Sequence, residues 1–237
     1  MGKDRLKIIL LVKIPLALVL FSALLVTLLR WVPPGRTPVM LKRAFQFRQV
    51  DGYRTDQEWV SLEDISPELI EAVILSEDQK FYSHHGFDFG AIRTMWKAHR
   101  RSGARLRGCS TISQQTAKNV FTFGTRAWVR KIPEAWWTIL IELIWRKDRI
   151  LEVYLNVAEW GRGCFGAEAA SKEYYGVSAS ELDCAQATSL AVCLPRPLVD
   201  NPLNMSPEFR KRRAHILKEM SNNKNKTKHE KIHKNTD

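Results

Sequence analysis

The stretch SEDQKFYSHHGFD, Ser76 to Asp88, follows directly on the apolar run LIEAVIL, Leu69 to Leu75. It crowds Glu77 and Asp78, two histidines and three aromatic rings onto the end of a helix. A metal site, a catalytic carboxylate or an ordinary helix end would each look like this. The helix begins with Ser66 as its N-cap and Pro67 in the first turn, where a missing N–H costs nothing. The spacing predicts a helix over 67–81, with Ile70, Ile74, Glu77 and Phe81 at i, i+4, i+7 and i+11 on one face and Val73 beside them. Glu77 then lies in line with the apolar stripe, and Asp78 is turned about 100° towards its edge. A carboxylate held against an apolar face suits a general acid or base. A metal needs at least three converging ligands, and no second cluster supplies them, so no metal is expected and His84 is read as fixing the loop beyond the helix.

A second carboxylate has a different setting. RKIPE places Glu134 near the start of the apolar helix AWWTILIELIW, just after Arg130 and Lys131. The helix dipole and the two cations stabilise its negative charge. One carboxylate on an apolar face and one beside cations is a usual arrangement for glycosyl chemistry. Between the two acids, no Asp or Glu occurs from Arg100 to Pro133, while Arg107, Lys118, Arg126, Arg130 and Lys131 do. Such a stretch is either a solvated basic face or a pocket for phosphates, which arginine forks bind bidentately. The glycine, hydroxyls and helix start of RGCSTISQQ also suit an anion, although no GxxxxGK[ST] loop is present.

The remaining segments are mostly helical. Thr111 and Gln114 stand in capping-box spacing. KDRILEVYLNVAEW starts at Asp148 as N-cap, and SASELDCAQATSLAVCL and SPEFRKRRAHILKEM each start at a serine. Strand signals are few, so the expected class is mainly α. The tail SNNKNKTKHEKIHKNTD is polar, basic and poor in apolar residues, which predicts disorder. Its HEKIH fits the zinc-protease pattern, but it has no apolar face and no third ligand downstream.

At the other end, Ile8 to Leu29 is a run of 22 residues with Lys13 as its only charge. A bilayer core needs about 20. Lys3, Arg5, Lys7 and Lys13 lie at its start, which orients the N-terminus to the cytoplasm. RWVPPG offers no small-x-small cleavage site, so the run reads as a retained anchor rather than a signal peptide. The net charge of +12 favours anionic partners. With the basic domain outside the cytoplasm, nucleic acid is disfavoured and acidic lipid or a phosphorylated substrate is favoured. Cys109, Cys164, Cys184 and Cys193 show no CxxC spacing and read as free thiols.

Taken together, these stretches resemble the monofunctional biosynthetic peptidoglycan transglycosylases and the glycosyltransferase domain of bifunctional penicillin-binding proteins. EDQKFYSHHG is similar to that family's E-D-x-x-F-x-x-H-x-G, and GCSTISQQTAKN to its G-x-S-T-I-[ST]-Q-Q-x-x-K-N. RKIPE, RILEVYLNVAEWG and GAEAASKEYYG match three further motifs in order, over about residues 60 to 200. The resemblance implies a lysozyme-like glycosyltransferase domain at residues 51–220. Residues 1–30 would be the cytoplasmic N-terminus and transmembrane anchor, 31–50 a juxtamembrane connector and 221–237 a disordered basic tail. It implies a single-pass protein of the cell inner (cytoplasmic) membrane with a periplasmic catalytic domain, active in cell wall biogenesis and cell shape.

The implied reaction polymerises lipid II into β-1,4-linked glycan, with inversion and release of polyprenyl pyrophosphate, and without transpeptidation. Glu77 would be the base for the acceptor 4-hydroxyl, and Glu134 would stand near the pyrophosphate. Lys118, Arg126 and Arg130 match positions that contact phosphate or hold Glu134, and Ser110, Gln114 and Asn119 line the cleft. Asp78, Phe81, His84, Arg107, Thr111, Gln115 and Lys131 complete the implied substrate-binding set. No cofactor is expected beyond a divalent cation as stimulant. The partners are lipid II, the growing lipid-linked chain and membrane lipid, with cell-wall synthesis or division proteins as candidates. Cys109 stands where the family has a smaller residue, and Pro133 where it often has a longer one. Two rivals remain: a lysozyme-like hydrolase acting on finished glycan, and a membrane-anchored scaffold without activity.

Overall fold

The computed structural model describes residues 9–103, 109–123 and 131–234, with Ile9 and 226–234 as backbone only. A π-helical turn, Ile9–Lys13, runs into helix α1, Ile14–Leu28. Leu10–Leu28 has a mean hydropathy of 2.4 and is the one helix among the described residues long and apolar enough to cross a membrane. Its nineteen residues rise about 28 Å. Only its C-terminal half is tied down. Trp136 Nε1 donates to Ser22 Oγ (3.3 Å), Trp145 Nε1 to Val26 O (2.7 Å), and Arg149 Nη2 to Leu29 O and Val32 O (2.9 and 3.0 Å). The bonds to Val26 O and Leu29 O satisfy carbonyls that the helix end leaves open.

The connector is not a bare linker. Thr37 caps helix α2, Pro38–Gln46, which buries Met40, and Arg43 reaches Glu159 at 2.9 Å. Strand β1, Asp56–Gln57, then leads to α3, Pro67–Glu77. Helices α4, Phe89–Ser102, α5, Ile112–Phe121, α6, Lys131–Ile144, and α7, Lys147–Val157, follow. Strands β2, Glu159–Gly161, and β3, Cys164–Phe165, come next, then α8, Ala167–Tyr175, α9, Cys184–Cys193, and α10, Pro207–Lys234. The strands form one small sheet in the order β1-β3-β2, with β1 parallel and β2 antiparallel to β3. Gly163 turns between β2 and β3 at φ +82°, where a Cβ would sit 2.1 Å from Arg54 O. Only glycine fits there.

The core gathers around α5, which packs on both α6 and α7, while α9 packs on α3. Phe81, Leu69, Ile112, Ile141, Ile150, Leu151, Tyr154 and Leu155 are wholly buried. Helix α5 buries polar as well as apolar side chains. Its Thr111–Gln114 capping box forms as the spacing predicts, and Ser113 Oγ donates to Glu142, which also pairs with Lys147 (2.7 Å). The mainly helical class read from the sequence is the class observed.

Five sequence expectations differ from the structure. Helix α3 ends at Glu77 instead of continuing to Phe81, and its buried residues are Leu69, Ala72 and Val73, with Ile70 and Ile74 at the flanks. Asp78 leaves the helix at φ −163°, so it swings inward rather than sitting at an exposed edge. Its side chain is 4% exposed, against 9% for Glu77. Helix α7 is entered through Arg146, with Asp148 inside the first turn, and α9 is capped by Asp183 rather than by a serine. Finally, the backbone expected to be disordered from Ser221 continues α10 to Lys234. Asn223 and Lys224 bond across to Glu71 and Glu68 (2.9 and 3.1 Å), contacts that composition does not reveal.

Candidate active site

The opening stretch of the sequence forms a wall of the site. Asp78 accepts from the Ile112 backbone N–H through Oδ2 (2.9 Å) and contacts His84 Nε2 through both oxygens (3.0 and 2.9 Å). The orphan N–H at the start of α5 is thereby satisfied. His84 Nδ1 accepts from Gly86 N–H (3.1 Å), and Gly86 O accepts from Thr111 Oγ1 (2.6 Å). Gly86 has φ +89°, and a Cβ there would lie 2.9 Å from Thr138 Cγ2, so the loop passes close to α6 only with glycine. Phe81 is wholly buried beneath this loop, with Lys147 Nζ 4.6 Å from its ring centroid. Asp78, Phe81, His84, Thr111 and Gln114 therefore hold the wall together from within.

Glu77 is held from two sides. Gln115 Nε2 donates to Oε2 (3.0 Å), while Ser76 Oγ and Arg212 Nη2 approach Oε1 (both 3.3 Å). Gln115 in turn accepts from Tyr154 Oη (3.3 Å) and donates weakly to Ser110 O (3.4 Å). Burial pushes the Tyr154 phenol well up, and the charges of Glu77 and Asp78 add to this, so it stays a neutral donor. Lys131 Nζ bridges Ser110 Oγ (3.4 Å) and Glu134 Oε1 (2.5 Å). Glu134 is buried in the first turn of α6. One chain of contacts thus runs from Arg212 through Glu77, Gln115, Ser110 and Lys131 to Glu134.

Two cavities flank Gln115 and Ser110. The first, about 370 Å³, is bounded by Ser76, Glu77, Asp78, Lys80, Cys109, Ser110 and Thr111. The second, about 300 Å³, lies among Arg43, Gln115, Lys118, Asn119, Tyr154 and Glu159. Burial raises the Glu159 carboxyl above its ordinary range, with Arg43 opposing the shift. The Cys109 thiol lies against Met95 Sδ (3.2 Å), and burial pushes it up, so the departure at this position is absorbed by packing and the sulfur stays protonated. A larger cavity of about 790 Å³, between residues 50–58 and α8, holds none of the expected site residues. Its charges partly neutralise each other, as in Lys172–Glu58 (2.7 Å). All four cysteines are unpaired. Among the described residues no group of three or more metal-ligating side chains converges.

Arg107, Arg126 and Arg130 lie outside the described residues. Of the other expected residues, Ser110, Gln115, Lys118, Asn119 and Lys131 gather with the two glutamates around the cavities. Sequence reasoning missed Arg212, Tyr154 and the Arg43–Glu159 pair. The signal for Arg212 was present: it falls between Phe209 and Ile216 on the stripe that α10 buries, and a cation on an apolar stripe calls for an anion opposite.

An exposed apolar surface adjoins the site. Ile132, Trp136, Ile139 and Leu143 lie on one exposed face of α6, alongside α1. Helix α4 buries no residue at all, and presents Phe89 and Trp96 among Arg93, Lys97, Arg100 and Arg101. A basic amphipathic helix of this kind suits an anionic lipid surface.

The family model described as Transglycosylase matches residues 44–221, three quarters of the chain. A biosynthetic peptidoglycan transglycosylase of Pseudomonas aeruginosa is 49% identical over 201 residues, covering 84% of this chain and 86% of the relative. One of Pseudomonas putida is 48% identical over 202 residues, covering 84% and 85%. One of Stutzerimonas stutzeri is 49% identical over 186 residues, covering 78% and 76%. With the family match spanning both glutamates and the helices that hold them, this chain belongs to the transglycosylase family.

Proposed function

We propose that this transglycosylase polymerises lipid II into β-1,4-linked glycan, with inversion at the anomeric carbon and release of polyprenyl pyrophosphate. The observation that carries the reading is Glu77, poised on the wall of the 370 Å³ cavity between Gln115 and Arg212. A carboxylate has about four lone-pair sites, so its bonds to Gln115, Ser76 and Arg212 leave room for one more proton. Glu77 accepts the proton of the acceptor 4-hydroxyl as that oxygen attacks the anomeric carbon of the donor. The bond to the pyrophosphate oxygen breaks, and its electron pair leaves with the phosphate. Lys118 and Lys131, together with Arg126 and Arg130 from the sequence motifs, stabilise the departing charge. Glu134 acts by holding Lys131, which its 2.5 Å contact supports. The step as written needs no cofactor, since nucleophile and leaving group both belong to substrates.

The same reading places α1 across the inner membrane and the cavities on the periplasmic side. The exposed apolar face of α6 and the basic helix α4 then lie at the lipid surface from which the substrate arrives. The test is purified protein with labelled lipid II, run beside the same protein with isolated sacculi. Glycan chains from lipid II and no fragments from sacculi are expected. Fragments from sacculi without polymer would instead make it a hydrolase.

A further inference from the structure

Arg212 belongs to none of the elements that line the cavities. It comes from α10, which docks on α3 and α9 by burying Phe209, Ile216 and Met220. Its Nη2 makes three contacts at once: Ser76 O (2.7 Å), Ser76 Oγ (3.0 Å) and Glu77 Oε1 (3.3 Å). Ser76 Oγ also reaches Ala191 O of α9 (3.2 Å). The end of α3, and with it the Glu77 side chain, is therefore clamped by one guanidinium nitrogen from a helix 135 residues away.

Docking of α10 does not depend on this contact. Three buried apolar side chains and the Asn223–Glu71 and Lys224–Glu68 bonds join the same two helices further along. What Arg212 adds is direction. Gln115 fixes Oε2, and without Arg212 only the Ser76 hydroxyl, which it shares with Ala191 O, would be left to hold Oε1. With Arg212 both oxygens are held. A guanidinium is planar and constrains its acceptors, whereas a lysine ammonium is a point charge on a flexible stem.

We propose that Arg212 is a positioning residue for the transfer step, holding Glu77 Oε1 so that the carboxylate meets the acceptor hydroxyl in one orientation. The inference rests on the reading of Glu77 as the base. Hydrogen bonds to charged groups are worth enough that losing this one should cost about ten- to a hundredfold in kcat. The loss should fall on kcat and not on KM, because Arg212 does not reach the groups expected to hold pyrophosphate.

The experiment is a cycle of Arg212→Gln and Glu77→Gln, alone and together, with Arg212→Lys and Lys224→Ala beside them. Polymerisation of lipid II, binding of a pyrophosphate-bearing analogue and Tm are measured for each. Arg212→Gln should lower kcat about ten- to a hundredfold with analogue binding unchanged. Arg212→Lys should recover part of the loss, and Lys224→Ala should behave as wild type. In the Glu77→Gln background, Arg212→Gln should have no further effect, since residues acting as one unit are not additive. Should Arg212→Gln fail to fold, Arg212→Lys carries the same comparison through its smaller loss. Wild-type kcat in both Arg212 variants, or an equal loss with and without the Glu77 carboxylate, overturns the proposal. Near-wild-type polymerisation by Glu77→Gln alone would remove the reading beneath it, and the single variant shows that independently of Arg212.

Discussion

Asp78 and Glu77 are neighbours in sequence with different work to do, and the difference is set by where α3 stops. Helical periodicity assumes that the helix continues, so it assigned Glu77 to the buried stripe and Asp78 to the edge. The observed backbone turns out at Asp78, whose carboxylate goes inward to Ile112 N–H and His84. Asp78→Asn keeps the shape but weakens charge-assisted bonds to a buried donor. It should cost about 1.5–3 kcal/mol of stability, read as a lower Tm, with a smaller loss of kcat than Glu77→Gln. Glu159 gives a second test at this scale. Its carboxyl is raised from 4.5 mainly by burial, against the pull of Arg43. A raised folded value means that its contribution to stability is present below the unfolded value and is lost as pH rises through the folded one. Glu159→Gln removes that loss, so stability relative to wild type should improve as pH rises from about 4.5 towards neutral. Urea unfolding at the two ends of that range measures it, and a constant difference would contradict it. At the candidate site, Glu77, Glu134 and the cations were legible from spacing and charge, and Ser110, Gln115 and Asn119 only from the resemblance. Their partners were not, because Arg212 and Arg43 lie more than a hundred positions from the acids they meet.

At the scale of elements, the legible helices are those whose ends carry their own chemistry. Thr111 with Gln114, and Ser66 followed by Pro67, mark α5 and α3 in the sequence as they do in the structure. The far end of α10 carries no such signal. Its first four turns are held by buried Phe209, Ile216 and Met220, and the next by Asn223 and Lys224 reaching α3. Those last two contacts are exposed, and bonds of that kind contribute at most about 1 kcal/mol. Truncation after Met220 should therefore leave polymerisation within a few-fold of wild type. Truncation before Pro207 removes Arg212 together with the three core residues, and should yield no folded enzyme. Expression, circular dichroism and the lipid II assay on the two truncations decide this, and loss of all activity in the shorter deletion would contradict it.

For the whole molecule, the apolar N-terminal run, the cations before it and the basic composition were all open to reading from sequence. The docking of α1 against α6 was not, since it depends on Trp136 and Trp145 finding Ser22 and Val26 across the fold. That docking packs the C-terminal half of α1 against the helix that carries Glu134. An N-in, C-out topology is expected. A C-terminal phosphatase fusion should be active and a cytoplasm-only reporter silent; the reverse would contradict the orientation. The most direct measurement is glycan synthesis from labelled lipid II by full-length Glu77→Gln beside wild type, with analogue binding and Tm measured separately. Replacing the carboxylate with an amide keeps the shape and removes the proton acceptor. The rate should fall at least about a hundredfold, the low end for loss of a general base, while the protein stays folded and still binds a pyrophosphate-bearing analogue. A variant that polymerises at near wild-type rate would show that Glu77 is not the base.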